Sequence, residues 1–168
     1  MPLSELVVDS SFRETVDSLV PSFERLMAMP PIRGDRFPLE KSRSNKLAGV
    51  YLMSEGDTHL YVGRSNNIVS RFYAHRRKSS GDGVAPFAYR LACLASERTG
   101  VSYVAGHRDN RASKMADPEF KLHFQSAKER ITAMDFRYVL EPDPVRQAIL
   151  EVYCAVALGT PHNTFDNH

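Results

Sequence analysis

Cysteine is scarce, long apolar runs are absent and charge imbalance is small. The chain has 168 residues and two cysteines. Cys93 and Cys154 form no C-x-x-C pair and both sit in apolar segments, the pattern of reduced, buried thiols in a reducing compartment. No apolar run approaches the length that spans a bilayer. The opening Met1-Pro2-Leu3-Ser4-Glu5 lacks the basic segment and apolar stretch of a secretory signal. The expectation is a cytoplasmic protein with no membrane partner. A net charge of +2 is too small to argue a nucleic-acid partner by itself. The rest is ordinary for one globular domain with a modest appendage, at 42% hydrophobic and 25% charged residues.

Residues 12–29 carry helical spacing through Phe12, Val16, Leu19, Phe23 and Leu26, with Pro21 placed to kink or split the helix and Pro30-Pro31 to end it. Residues 32–46 are polar, with Arg33, Arg36, Lys41, Arg43 and Lys46 against Asp35 and Glu40; they read as a solvated linker or a phosphate-facing arm. The division drawn is 1–46, an N-terminal helical extension and basic linker, and 47–168, the main domain. There, residues 47–54 and 58–63 predict a hairpin around Glu55-Gly56-Asp57. A helix follows over 67–78, capped by Ser65 or Asn66, and Pro86 opens another running to Arg98. Residues 101–105 read as a short strand and 106–116 as a polar loop. Asp117-Pro118 opens a helix with Phe120, Phe124, Ala127 and Ile131 on one face; residues 133–140 alternate as a half-buried strand; Asp143-Pro144 opens the last helix, which Gly159 ends. This order predicts an α+β fold with a small, mostly antiparallel sheet flanked by helices.

Three groups of residues carry chemistry. If Ser54 pairs with Thr58, Tyr51 falls opposite Tyr61 on one face of the hairpin; both tyrosines also suit an ordinary strand. Arg71 and His75 share a helix face, with Lys78 a turn further on. From Arg64 to Lys78 the charged residues are Arg64, Arg71, Arg76, Arg77 and Lys78, with no acid, which suits either a phosphate platform or a solvated basic face. Glu151 stands beside the stripe Val145, Ile149, Val152 and Val156, which spacing marks as the buried side of its helix, and no Lys or Arg lies three or four residues away. A partly buried carboxylate needs a metal ion or a distant arginine such as Arg71 or Arg137. His107, His123 and His162 have no ligand spacing.

In order, Gly49-Val50-Tyr51, Tyr61-Val62-Gly63-Arg64-Ser65-Asn66, Arg71, His75, Glu151 in a C-terminal helix and Asn163 after a proline resemble the signature of the GIY-YIG nucleases. The likeness covers roughly residues 47–165, with valine for isoleucine in both tripeptides. The stretch between His75 and Glu151 is long, and residues 100–131 look inserted relative to the smallest members.

The resemblance implies a metal-dependent DNA endonuclease that hydrolyses phosphodiester bonds. Its catalytic set would be Tyr51, Tyr61, Arg71, His75, Glu151 and Asn163, with Glu151 holding one Mg²⁺ or Mn²⁺ per site. Arg64, Asn66, Arg76, Arg77 and Lys78 would contact DNA. Tyr51 is the first choice as general base, which requires a phenol pKa below its usual value of about 10, supplied by Arg71, His75 or a hydrogen bond from Tyr61. Arg71 would hold the scissile phosphate. His75 would contact Tyr51 or phosphate, Asn163 would orient Glu151 or the backbone near it, and Gly63 would permit a close turn into the helix. A sequence-specific restriction-type enzyme is the leading expectation. The alternatives are a structure-specific repair or recombination nuclease, an enzyme acting on RNA, and a non-catalytic nucleic-acid binding module. Double-strand cutting from one site per chain would require a homodimer or sequential nicks.

Overall fold

Residues Gly49–Glu55 are apolar at both alternating sets of positions, and such a segment is stable only with both faces covered. In the computed structural model, which describes residues 10–34, 36–38 and 47–165, this segment is β1, the centre of a three-stranded antiparallel sheet ordered β2-β1-β3. Its neighbours are β2 (Thr58–Ser65) and β3 (Asp135–Leu140). The helices are α1 (Ser10–Asp17), α2 (Val20–Ala28), α3 (Ile68–Arg76), α4 (Pro86–Ala95), α5 (Arg111–Ala116), α6 (Pro118–Ala133) and α7 (Pro144–Leu158). The fold is α+β, with the sheet between two helical layers.

Alternation along β1 divides the core. Tyr51 and Met53 face one layer, with Phe72 of α3, Phe87 of α4, Phe120 and Phe124 of α6, and Phe136 of β3. Val50 and Leu52 face the other, with Leu19, Leu26 of α2, and Leu150 and Cys154 of α7. Of the two N-terminal helices, α2 therefore joins α7 in covering the second face of the sheet, while α1 packs on α7. Pro21 divides α1 from α2, standing in the first turn of α2 where its missing N–H is not needed. The segment after them also packs on the sheet: Ile32 bridges Phe136, Arg33 pairs with Asp135 at 2.8 Å, and Phe37 is buried. Asp35, Glu40, Lys41, Arg43 and Lys46 lie outside the described residues.

Asp117 and Asp143 cap α6 and α7 with their carboxylates, and Gly159 ends α7 at a φ of 60°. Several expected boundaries differ. The cap of α3 is Asn67, whose side chain accepts from the Ser70 amide. Helix α4 ends at Ala95, and α5 occupies part of the expected polar loop, capped by Asn110. In place of a strand at 101–105 there is a single bridge, Ser102 to Asn110. The largest correction concerns α7, where Gln147, Leu150, Cys154 and Ala155 are buried while Val145, Val152 and Val156 are exposed. The helix is apolar nearly all round, so periodicity did not select its inner face. No described helix is long and apolar enough to cross a membrane.

Candidate active site

The two tyrosines share a face through a different register from the one their spacing suggests. Glu55 pairs with Thr58 and Ser54 with His59; the register then shifts, so that Met53 pairs with Tyr61 and Tyr51 with Gly63. Tyr51 is thus diagonal to Tyr61, and their ring centroids are 6.2 Å apart. The irregularity is essential. Carried on unbroken, the register set at the turn would put Tyr51 opposite Val62 and the tyrosines on opposite faces.

Gly63 serves this arrangement by leaving space. A Cβ there would lie 2.3 Å from Tyr51 Oη, so Tyr51 crosses β2 over a residue without a side chain. This, and not the turn into α3, accounts for the glycine. Tyr51 stacks on Phe136 with centroids 5.4 Å apart, and Tyr61 on Phe87 at 4.6 Å.

Helix α3 brings His75 beneath the pair. Its Nε2 lies 3.0 Å from Tyr51 Oη, and its buried Nδ1 has no hydrogen-bond partner among the described residues. Burial, reinforced by Arg71, Arg76 and Lys128, pushes the imidazole down to about 3, so it is neutral near pH 7. A buried N–H without an acceptor is costly. The favoured tautomer therefore keeps the proton on Nε2, donates to Tyr51 and leaves Nδ1 bare. His75 touches Tyr51 and, being fully buried, presents nothing to a phosphate in the cleft.

Neither phenol has the depressed pKa expected of a ready base. Tyr51 is raised well above its ordinary value, chiefly by burial and then by Tyr61, while Arg71 opposes the shift. Tyr61 is raised by burial and by Glu151, offset in part by a hydrogen bond from Tyr51 and by Arg71. The neutral His75 supplies no positive charge. Exposure separates the phenols: Tyr51 is 2% exposed, whereas Tyr61 lines a cleft together with Glu151 and Asn163.

Glu151 projects from α7 toward the same region, and its charge acts on both phenols. Burial raises its pKa and Arg64 lowers it. The compensating cation is Arg64, at the end of β2, whose Nε donates to Oε2 at 3.0 Å; it is neither Arg71 nor Arg137. Arg71 donates to the Val84 carbonyl at 2.9 Å. Together Arg64, Asn66, Arg71 and Glu151 line a cleft of about 640 Å³, joined by Asn67 and Ser70, which the sequence did not single out. Glu151 also lines a second hollow beside Tyr61.

Of the two roles expected of Asn163, a hydrogen bond to Glu151 does not occur among the described residues, and the amide holds backbone: it accepts from the Val62 N–H at 2.8 Å and donates to the Val62 carbonyl at 2.7 Å. Since β2 is an edge strand, the amide closes backbone groups that would otherwise be open.

The basic run divides sharply. Arg76 is buried: its guanidinium lies 3.9 Å from the Phe72 centroid and donates to the Met134 carbonyl at 3.1 Å and the Gly34 carbonyl at 3.2 Å. Burial lowers it to about 10. It is a core residue and is withdrawn from the DNA-facing set. Helix α3 ends before Lys78, which therefore does not share the face of Arg71 and His75; it pairs with Glu129 at 3.1 Å, and both it and Arg77 are exposed. The buried Lys128 holds this corner by donating to the carbonyls of Arg77 and Ser80.

Among the described residues no group of three or more His, Cys, Asp and Glu side chains could hold a metal. Glu151 is the carboxylate on the cleft, held by Arg64 through its Oε2. Such a residue fits an ion held mainly by water and a ligand's oxygens, as Mg²⁺ commonly is. No protein-family model matches the chain, and neither the curated proteins nor the solved structures contain a significant match to it.

Proposed function

We propose that the chain is a metal-dependent DNA endonuclease of the GIY-YIG kind. The observation that carries this reading is the joint placement of a guanidinium, a half-buried carboxylate and a phenol around two clefts that share Glu151: Arg71 and Glu151 line one, Tyr61 and Glu151 the other. A binding module needs cations. It has no need of a carboxylate raised by burial beside a pair of buried phenols.

Arg71 is suited to hold the scissile phosphate and offset the charge that develops on it. Glu151 would hold one Mg²⁺ or Mn²⁺; when bound, such an ion supplies Lewis-acid stabilisation of the leaving oxygen. Tyr61, on the cleft wall, would orient the attacking water; beside Arg71 and a bound ion its phenol would first release its own proton to solvent, and the resulting phenolate would take the proton of the attacking water, while Tyr51 behind it donates to Tyr61 and is held by His75. Because both phenols are raised, proton removal is coupled to substrate binding and is not prepared in the free protein. Arg64 releases Glu151 and turns to phosphate when DNA enters. A sequence-reading, restriction-type enzyme is the favoured variant, since residues around 99–111 build a second wall beside the cleft.

Supercoiled plasmid incubated with Mg²⁺ or Mn²⁺ tests the reading. The intact chain should nick or linearise it, and Glu151→Ala and Tyr61→Phe should not. Equal DNA binding by all three with no cleavage by any would leave a binding module.

A further inference from the structure

The hollow beyond Tyr61 and Glu151 has a volume of about 850 Å³, within the range of sites that enclose small ligands. Tyr61, Glu151 and Asn163 line it, together with a wall formed by Val101, Ser102 and Tyr103. That wall differs from ordinary surface in three respects. Its large side chains stand in water: Tyr103 is 76% exposed, and Val101 and Val104 are also exposed. Its base is nevertheless fixed. The buried Lys114 donates to the carbonyls of Arg98 and Gly100, both at 2.6 Å, and the Ser102 amide donates to the Asp109 carbonyl at 3.2 Å. Finally, cations stand around it. Arg90 and Arg111 line the hollow, Arg111 lying 4.3 Å from the Tyr89 centroid, and Arg108 is exposed nearby.

Apolar and aromatic groups held out on a fixed base beside cations, around a hollow that shares Glu151 with the cleft lined by Arg71, match the requirements of a base-stack wedge. We propose that Tyr103, with Val101 and Val104, enters the base stack of the DNA next to the scissile phosphate and that the hollow receives the displaced nucleoside. This inference rests on the nuclease reading. Arg90 and Arg108 would follow the backbone on either side, and Lys114 would act as a positioning residue, keeping the wedge at a set distance from Tyr61 and Glu151.

The chain contains no tryptophan, so Tyr103→Trp places a single reporter on the wedge. In a Glu151→Gln background, which prevents cutting, a short mixed-sequence duplex should quench its emission by about half through stacking. The same duplex should leave Val156→Trp, on the exposed face of α7, unchanged. Tyr103→Ala should lower kcat/KM on plasmid about 10-fold or more while the melting temperature stays constant. Unquenched emission with DNA that binds and is cut by the parent chain would overturn the wedge and leave the nuclease reading intact. Loss of self-association in Tyr103→Ala, with cleavage unchanged, would overturn it in favour of a protein interface. If the parent chain neither binds nor cuts DNA, the nuclease reading fails and the wedge with it.

Discussion

Tyr51 and Gly63 face each other across β1 and β2, and the phenol occupies the volume that a side chain at residue 63 would need. Gly63→Ala should therefore displace Tyr51 and cost about 1–3 kcal/mol, as overpacking of a core does. Urea unfolding midpoints give the value. The cost should shrink in a Tyr51→Ala background, because the two changes then share one space.

His75 makes stability depend on acid. Its folded pKa of about 3 lies below the ordinary 6.5. Between those values the unfolded chain binds the extra proton, so this contribution is complete above about pH 6.5 and lost as pH falls toward 3. The slope from this group approaches 1.4 kcal/mol per pH unit. Stability measured against pH should rise more steeply in the parent chain than in His75→Gln by about that amount, the slope left in the variant coming from groups such as His59 and His162, which burial also lowers.

The pairing of Arg64 with Glu151 opposes the upward shift that burial imposes on the carboxylate. Removing it in Arg64→Ala should raise the Glu151 pKa further. The acid limb of kcat/KM against pH, which reports the free protein, should then move toward higher pH, with cleavage lost first in acid and best retained in alkaline buffer.

The cations at residues 76 and 78 should separate stability from DNA binding. Arg76→Ala empties a buried site and orphans the Met134 and Gly34 carbonyls, which should cost about 2–4 kcal/mol. Lys78→Ala, at an exposed position, should change stability by less than about 0.5 kcal/mol. It should instead lower the slope of log affinity against log salt by about one. Thermal melts and salt titrations of DNA binding distinguish the two.

Legibility of the sequence followed the range of the forces involved. Asp117-Pro118 and Asp143-Pro144 announced their helices because caps act within one turn, and the alternation over 133–140 marked β3. Helix α5, six residues long, was too short to show a period. The inner face of α7 was hidden because valines fall on both sides. Neighbouring Arg76 and Arg77 look alike in the chain, and only the Phe72 and Phe136 rings show that the first is interior. The ion pair of Arg64 with Glu151 joins residues far apart in the chain, and no local pattern could reveal it. The tyrosine pair was legible by parity, while its register depended on a strand irregularity that left no mark in the residue pattern.

Single-turnover nicking of supercoiled plasmid by Arg71→Ala, Glu151→Gln and the double variant bears most directly on whether these side chains serve one site. Each single change should slow nicking by about 100-fold or more, and the double change should be far less severe than the product of the two, as for groups that act as a unit. Folded variants that nick at the parent rate, a double variant slowed by the full product of the two single effects, or a parent chain that does not nick at all would contradict it.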